Sequence, residues 1–393
     1  MTAVITDVHY RMSLALIRDL AQAGVRVVVC WREDSGAPLG FRSKYPARRV
    51  TLPREGWLEE LYRLCSQIRE EEEGESPALL PVGAATLAAL APAEVRERFA
   101  PVCGLCIPTT EQLDLLNSKE QAAQLARSQG VAVPEAYSME EGEEPEAFAR
   151  RIPYPCVVKP LCGEKLGLTA ADRYRIVKTP EELKVWYDRF SRLAGEPPLV
   201  QEYLSGGGMG CSVLAENGQI RAALCHRRIR EYPVSGGPSA CCESVDRPDL
   251  VEMVGRMAAQ LGYTGLGMFE FKEDREGNPR LLEVNPRIWG TYPLTRVSGS
   301  GISLLWCTLA WNKGNPGREV PLPELPKPRL CRMQFAASDL MSGVGYAKRG
   351  QLGKAVSAGL SVLAPWVRDG LWEWSDPGPG WLYYRSLLRK ERA

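Results

Sequence analysis

The opening of the chain alternates apolar strands with an amphipathic helix. Ala3 to Thr6 is a short apolar run, leucines recur at helical spacing between Met12 and Ala23, and Val25 to Cys30 is rich in β-branched residues. This strand-helix-strand order predicts a right-handed crossover in a parallel sheet. Apolar segments at Ala78 to Val82 and Val102 to Ile107 are expected to add strands to it. We therefore predict a small doubly wound α/β domain that ends near residue 112.

Beyond Asn117 the pattern changes to a mixture of helices and strands. A helix is predicted over Ser118 to Gln129. Short apolar runs that predict strands lie at Cys156 to Lys159, Arg175 to Lys178 and Leu199 to Leu204. Since these elements do not alternate strictly, the pattern indicates an α+β arrangement.

A β-hairpin is the most clearly predicted element of the chain. Gly265 to Lys272 and Arg280 to Asn285 are strand-like, and the Asp-Arg-Glu-Gly-Asn sequence between them is strong turn chemistry. Prolines at positions 316, 321, 323, 326 and 328 then mark a linker, after which we expect a mixed appendage with helical pieces. In that appendage Trp381 to Lys390 is basic and amphipathic, which is typical of a helix docked on its own protein or, as the alternative, of one that touches a membrane surface.

Alternation along the hairpin places oxygen donors together. Glu283 shares a face with Asn285, and the register decides whether Glu270 lies beside Glu283. Like charges opposite each other destabilise a sheet unless a cation lies between them, and such hard oxygen donors suit Mg²⁺. The alternative is the ordinary polar face of a hairpin. The opposite face is predicted to be apolar and to consist of Phe269, Phe271, Leu282 and Val284.

Two lysines flank a glycine-containing loop over residues 161–169. Lys119 begins a helix, Lys159 ends an apolar strand, and Lys165 lies inside the loop. Backbone N–H groups of such a loop can bind phosphate oxygens, and the lysines could neutralise a polyphosphate. Lysines among apolar neighbours more often extend to the surface, which is the alternative interpretation.

Composition and missing motifs exclude several classes of protein. The 49 basic and 48 acidic side chains of the 393 residues give a net charge of +1, which supplies no global field for nucleic acid or anionic membrane. No secretory signal and no long apolar stretch is present, so we expect a cytoplasmic protein without a membrane span. The twelve cysteines are expected to be reduced, with Cys103 and Cys106 as core thiols.

Three common active-site motifs are missing from the sequence. It contains no GxxxxGKS or GxxxxGKT, no GxGxxG at the first strand-helix turn and no GxSxG. P-loop, dinucleotide and serine-hydrolase sites are therefore disfavoured.

Taken in order, five motifs resemble those of the ATP-grasp superfamily, the carboxylate-amine ligases and their relatives. They are Asn117-Ser-Lys119, Tyr154-Pro-Cys-Val-Val-Lys159, Val200-Gln-Glu-Tyr-Leu204, Gly267-Met-Phe-Glu270 and Leu282-Glu-Val-Asn-Pro-Arg287. The segment from His226 further resembles a branch of predicted ATP-dependent carboligases. The resemblance implies a doubly wound parallel-sheet domain over 1–112 and a two-lobed ATP-grasp fold over 113–204 and 205–314. A linker and C-terminal appendage would cover 315–393.

The resemblance also implies cofactors and site residues. It implies ATP and two Mg²⁺ ions, with Mn²⁺ as a substitute for the metal. The residues implied to contact ATP are Lys119, Lys159, Lys165, Gln201, Glu202 and Leu204. The implied metal ligands are Glu270, Glu283 and Asn285. Arg287 resembles the arginine that stabilises charge on the transferred phosphoryl group.

Two parts of the site depart from this pattern or lie outside it. The acidic residue that binds the ribose in D-alanine-D-alanine ligase-like relatives has no counterpart in Gly208 to Ser212, so Glu202 becomes a candidate. The loop after the first strand, Asp7 to Arg11, is expected to face the ATP cleft, with Arg230 and the Ser235 to Gly237 loop opposite. A substrate carboxylate would then form a bidentate pair with Arg230 or Arg11.

We therefore expect an ADP-forming ligase that activates a carboxylate as an acyl phosphate for attack by an amine. Carboxylation through carboxyphosphate, or phosphoryl transfer alone, would use the same apparatus. A non-catalytic ATP-binding protein is the alternative from another class. The expected partners are small-molecule carboxylates and amines and no nucleic acid, and a homo-oligomer is compatible with the sequence.

Overall fold

The computed structural model describes residues 1–161, 166, 168, 174–234 and 236–390. Lys165 and Ser235, both singled out above, lie outside the described residues. In the described part of the chain, no helix is long and apolar enough to cross a membrane.

The N-terminal domain is built on a parallel sheet. Its strands are β1 (Thr2–Ile5), β2 (Arg26–Arg32), β3 (Arg48–Leu52) and β4 (Ala78–Leu80), and its helices are α1 (Met12–Gln22), α2 (Trp57–Glu71), α3 (Ala84–Leu90) and α4 (Ala93–Phe99). The strand order is β3-β2-β1-β4 within the described residues, and every pairing is parallel. The predicted strand-helix-strand opening is confirmed.

The predicted strand at Val102 to Ile107 is wrong. Within the described ranges this segment makes one isolated bridge, between Gly104 and Ala78. A Cβ atom on Gly104 would lie 1.7 Å from the carbonyl oxygen of Ala310, so the backbone packs directly on a helix instead of pairing along a strand. Cys103 and Cys106 are buried free thiols, and burial raises the pKa of Cys106 to about 11, as expected of a core thiol.

The middle of the chain forms a small antiparallel sheet. Its strands are β5 (Ala136–Tyr137), β6 (Cys156–Lys159), β7 (Arg175–Val177) and β8 (Leu199–Glu202), and the helices around it are α5 (Thr110–Asn117), α6 (Lys119–Ser128), α7 (Pro145–Arg151) and α8 (Pro180–Ala194). Over the described residues the order is β5-β8-β6-β7. The Ser118 hydroxyl accepts a hydrogen bond from the N–H of Gln121 and caps α6, which fixes Lys119 in the first turn.

The rest of the chain forms a larger sheet with helices. Its strands are β9 (Gly208–Glu216), β10 (Gln219–Glu231), β11 (Ser239–Val245), β12 (Gly265–Glu273), β13 (Pro279–Asn285), β14 (Arg332–Gln334) and β15 (Val367–Asp369). Its helices are α9 (Pro248–Leu261), α10 (Pro293–Ser298), α11 (Ile302–Gly314), α12 (Ala336–Lys348), α13 (Leu352–Leu363) and α14 (Gly378–Lys390). Among described residues the order is β13-β12-β9-β10-β11-β14-β15, so the C-terminal segment contributes strands to one edge.

The two faces of this sheet belong to different cores. Phe269 and Phe271 pack with Met257 of α9, whereas Met268 packs with Trp289 and the apolar face of the N-terminal domain. Burial of each such side chain stabilises the fold by about 1.5–3 kcal/mol. Helix α14 docks through Leu382 and its neighbours, which confirms the docked interpretation of this helix.

The two ends of the chain are joined by a buried ion pair. Arg18 of α1 is 1% exposed, and its Nε donates to Asp376 Oδ2 at 2.9 Å. Its Nη1 donates to the carbonyl of Leu371, also at 2.9 Å. A guanidinium buried in this way is stable only while these partners are present.

Candidate functional site

The hairpin of β12 and β13 places two carboxylates side by side. Glu270 is the direct register partner of Glu283, and Met268 is the partner of Asn285. The turn is closed by Asp274, whose Oδ1 accepts hydrogen bonds from the N–H groups of Glu276 (3.0 Å) and Asn278 (2.8 Å). The predicted hairpin is confirmed, and its register brings Glu270 beside Glu283, which the sequence had left open.

A register shift after Glu270 changes one detail of this hairpin. Strict alternation predicts Leu282 on the core face, but Leu281 is the partner of Phe271 and is the buried residue. The extra residue is a β-bulge, which is common beside functional sites.

The two carboxylates repel each other in a buried position. Burial raises the pKa of Glu270 to about 7, while Arg228 opposes this rise and the charge of Glu283 adds to it. Arg228 Nη2 donates to Glu270 Oε2 at 2.6 Å. Even with Arg228 beside it, the pKa of Glu270 lies near neutrality, so a second cation would favour its ionised form.

These donors fit Mg²⁺. In the described ranges no group of three or more His, Cys, Asp or Glu side chains is arranged to hold a metal. The set consists of two carboxylates and the Asn285 carboxamide, whose nitrogen donates to Glu283 Oε1 at 3.4 Å. Few protein ligands and open positions for water and phosphate are the usual arrangement for Mg²⁺.

Arg287 lies directly after this donor set. Its Nη2 donates to Asn285 Oδ1 at 3.2 Å and its Nη1 to the carbonyl of Ile288 at 3.0 Å. The structure therefore brings Glu283, Asn285 and Arg287 together, as the motif order predicted.

Arg228 is a site residue that the sequence analysis missed. It lies on β10 and reaches Glu270 on β12 across the intervening β9. The Arg228 side chain can cross β9 because this strand has glycines on the face that it crosses. A Cβ on Gly208 would lie 3.3 Å from the Arg228 side chain, and one on Gly210 would lie 2.4 Å from the ring of His226. The alternation Gly-Met-Gly in a strand was the signal that could have revealed this groove.

Arg230 does not occupy the predicted place. A register shift in β10 separates Arg228 from Arg230, and the Arg230 guanidinium is 2% exposed. It forms a bidentate pair with Asp339 (2.6 and 2.7 Å) and donates to Ser357 (2.9 Å) and Ser361 (2.7 Å). Because its N–H groups donate to side chains of the protein itself, the prediction that Arg230 binds a substrate carboxylate is wrong.

The lysines approach the hairpin from the smaller sheet. Burial and the positive charge of Lys119 together lower the pKa of Lys159 to about 8, although Glu283 opposes this fall. The Nζ of Lys119 lies 3.4 Å from the carbonyl of Leu161, at the start of the glycine loop. A desolvated lysine with a second positive charge near it favours an anion at this position.

Three of the residues implied to contact ATP lie at or just after the end of β8. Gln201 and Leu204 are buried, at 8% and 3% exposed. The Glu202 carboxylate accepts a hydrogen bond from the N–H of Glu135 (3.3 Å) and faces Arg280 at 3.7 Å. A ribose would therefore compete with these partners for the Glu202 side chain.

The loop after β1 borders an open cavity of about 310 Å³. His9, Arg11, Tyr383 and Ser386 are among its lining residues. The Arg11 guanidinium stacks on Phe335 at 3.5 Å and lies close to Gly290, three residues beyond Arg287. This position keeps Arg11 as the remaining candidate for a carboxylate anchor.

Comparison with known proteins finds a family match and several relatives. Residues 195–327 match the family described as ATP-grasp in the biosynthetic pathway with Ter operon. The carbamoyl phosphate synthase large chain of Clostridium perfringens (strain SM101) is 26% identical over 243 residues, which are 58% of this chain and 21% of that protein. The chain thus spans about a fifth of the length of this curated relative.

Solved structures share the fold. A biotin carboxylase from Campylobacter jejuni, described as a β,γ-ATP complex, has a TM-score of 0.57 at 17% identity and covers 84% of this chain and 74% of its own. The L-amino acid ligase from Bacillus licheniformis has a TM-score of 0.52 at 16% identity, covering 81% and 77%. The five motifs, the paired carboxylates and the family match over residues 195–327 support a place for this chain in the ATP-grasp superfamily.

Proposed function

We propose that the protein is an ATP-dependent, ADP-forming ligase, which activates a substrate carboxylate as an acyl phosphate for attack by an amine. The observation that carries the proposal is the direct pairing of Glu270 with Glu283, with Lys159 within electrostatic range of Glu283. Opposed carboxylates favour a divalent cation, and the desolvated Lys159, with Lys119 nearby, favours an anion. Magnesium-bound ATP satisfies both requirements.

Each residue of the site has its own role in this proposal. Glu270, Glu283 and Asn285 hold Mg²⁺, which when bound neutralises charge on the phosphoryl oxygens. Lys159 keeps its proton beside the phosphates and offers a fixed positive charge there. Arg287 stabilises the charge that develops as the phosphoryl group passes to the carboxylate.

Arg228 supplies a further positive charge at the site. It already neutralises Glu270 at 2.6 Å and contacts Glu231 at 3.4 Å. With a metal ion on Glu270, the Arg228 guanidinium would add positive charge next to the bound phosphates. This role explains why an arginine stands beside a metal ligand.

Arg11 is the proposed anchor of the substrate carboxylate. Burial lowers the pKa of its guanidinium, and a hydrogen bond with Tyr383 and the charge of Asp369 oppose this fall only in part. Arg11 opens on the cavity of about 310 Å³, which is large enough for a small acid. A carboxylate in a bidentate pair would compensate this charge.

Product analysis tests the proposed function. The full chain is incubated with ATP, Mg²⁺ and pools of amino acids, dipeptides and small acids, with and without amines. We expect ADP and phosphate, released only when both an acid and an amine are present. Glu283→Gln should abolish this release, whereas Glu276→Gln, in the exposed hairpin turn, is the matched control and should leave it unchanged. AMP and pyrophosphate as products would refute the proposal.

Carboxylation through carboxyphosphate is the second candidate function. The names of the relatives, a biotin carboxylase and a carbamoyl phosphate synthase, favour it. Acceleration of ATP turnover by bicarbonate in the absence of an amine would select this reaction. Tight ATP binding without turnover on any acid, amine or bicarbonate would instead indicate a non-catalytic nucleotide-binding protein.

A further inference from the structure

The helical hairpin of α12 and α13 carries a large exposed apolar surface. Leu363 is 80% exposed, and Trp366, which follows α13, is 72% exposed. The other large apolar side chains exposed on the hairpin are Leu340, Met341, Val344, Leu352, Val356 and Leu360. Single exposed leucines are ordinary, but this number on one hairpin marks an interaction surface.

The apolar stripe lies on the outward side of α13. It consists of Leu352, Val356, Leu360 and Leu363, which follow one another at helical spacing. The inward side is fixed to the protein, because Ser361 accepts a hydrogen bond from Arg230 at 2.7 Å. Ala358 is buried, and a Cβ on Gly343 of α12 would lie 3.0 Å from its side chain. Rotation of α13 to bury the stripe would therefore break buried polar contacts.

The exposed charged side chains of the hairpin have one sign, since Asp339 of α12 is buried and paired with Arg230. From Leu340 to Arg368 the sequence contains no aspartate or glutamate. The charged residues in that range are Lys348, Arg349, Lys354 and Arg368, and all are exposed. The next acidic residue, Asp369, is engaged within the protein and accepts hydrogen bonds from the N–H groups of Ala336 (2.9 Å) and Leu371 (2.7 Å). The net charge of the whole chain, +1, does not reveal this local basic surface.

We propose that the α12–α13 hairpin docks on an anionic lipid membrane surface. The outward leucines and valines would enter the boundary between headgroups and acyl chains, with Trp366 at the headgroup level and the basic side chains against anionic lipid. With 12 residues α13 is about 18 Å long, so it lies along the surface and does not cross the bilayer. A second copy of the chain fits less well, because a symmetric contact would bring two identical basic surfaces together.

Vesicle sedimentation tests the docking. The full chain is mixed with vesicles of phosphatidylcholine alone or of equimolar phosphatidylcholine and phosphatidylglycerol. We expect binding to the anionic vesicles to be at least about tenfold tighter. Leu360→Glu with Leu363→Glu should weaken it by about tenfold or more, since two inserted leucines are lost. The matched control is Val185→Glu with Leu330→Glu, which changes side chains 64% and 73% exposed elsewhere and should bind as the wild type does.

A second variant separates charge from apolar contact. Lys348→Glu with Lys354→Glu should abolish the preference for phosphatidylglycerol, and it carries the test if the leucine variant does not fold. Equal binding to both vesicle types, or unchanged binding by the leucine variant, would overturn the proposal. A dimer in light scattering that the leucine variant dissociates, with no vesicle binding, would assign the surface to a second copy instead.

Discussion

The desolvated Lys159 predicts that ATP binding weakens as the pH rises above 8. Burial lowers the pKa of this lysine from 10.5 to about 8. A bound phosphate pairs with the ammonium and favours the charged form, so the pKa rises toward 10.5 in the complex. Binding is then coupled to the uptake of a proton in the window between the two values.

The size of the effect follows from the protonated fraction. With a pKa of about 8 in the free protein, about nine-tenths of Lys159 is charged at pH 7 and about one-tenth at pH 9. The dissociation constant should therefore rise about tenfold across this range.

The folding stability has the opposite dependence on pH. Between pH 8 and 10.5 the unfolded chain binds more protons at Lys159 than the folded chain does, so the contribution of this lysine to stability increases with pH there.

Isothermal titration calorimetry measures the dissociation constant for ATP and the accompanying proton uptake. ATP is titrated in metal-free buffer between pH 7 and pH 9, in buffers that differ in ionisation enthalpy, so that proton uptake is obtained directly. Lys159→Met should remove the uptake and flatten the pH dependence. Lys184→Met, an exposed lysine on α8, is the matched control and should behave as the wild type does. Equal proton uptake by the wild type and Lys159→Met would refute the reasoning.

Three further predictions concern the metal site and the packing. Glu283→Ala should lower turnover by about 10²–10³ without changing the thermal midpoint, because a metal ligand is lost where phosphoryl charge develops; full activity at saturating Mg²⁺ would remove the metal assignment. Arg230→Met should lower the free energy of unfolding by about 3–5 kcal/mol, because Asp339 is left buried and unpaired; denaturant unfolding measures this, and a loss below about 1 kcal/mol would contradict the structural role. Cys106→Ala should leave turnover unchanged and cost about 1 kcal/mol of stability, and a large loss of turnover in steady-state assays would argue against a core thiol.

The parts of the site that the sequence predicts are those set by local rules. Glu270 and Glu283 could be placed because strand alternation and a strong turn fix a short hairpin. Arg230 could not be placed, because a β-bulge and a partner 109 residues later decide where its guanidinium lies. The same holds for Val102 to Ile107, where packing against α11 replaces strand pairing. The strands β14 and β15 are three residues each, too short for a periodic signal.

The ion pair between Arg18 and Asp376 sets an order of events during synthesis. The two residues are 358 positions apart, so at roughly 5–20 residues per second the partner of Arg18 emerges some 20–70 s after it. Until then the Arg18 guanidinium lacks this counter-ion. The final packing of α1 therefore depends on a segment that is made 358 residues later.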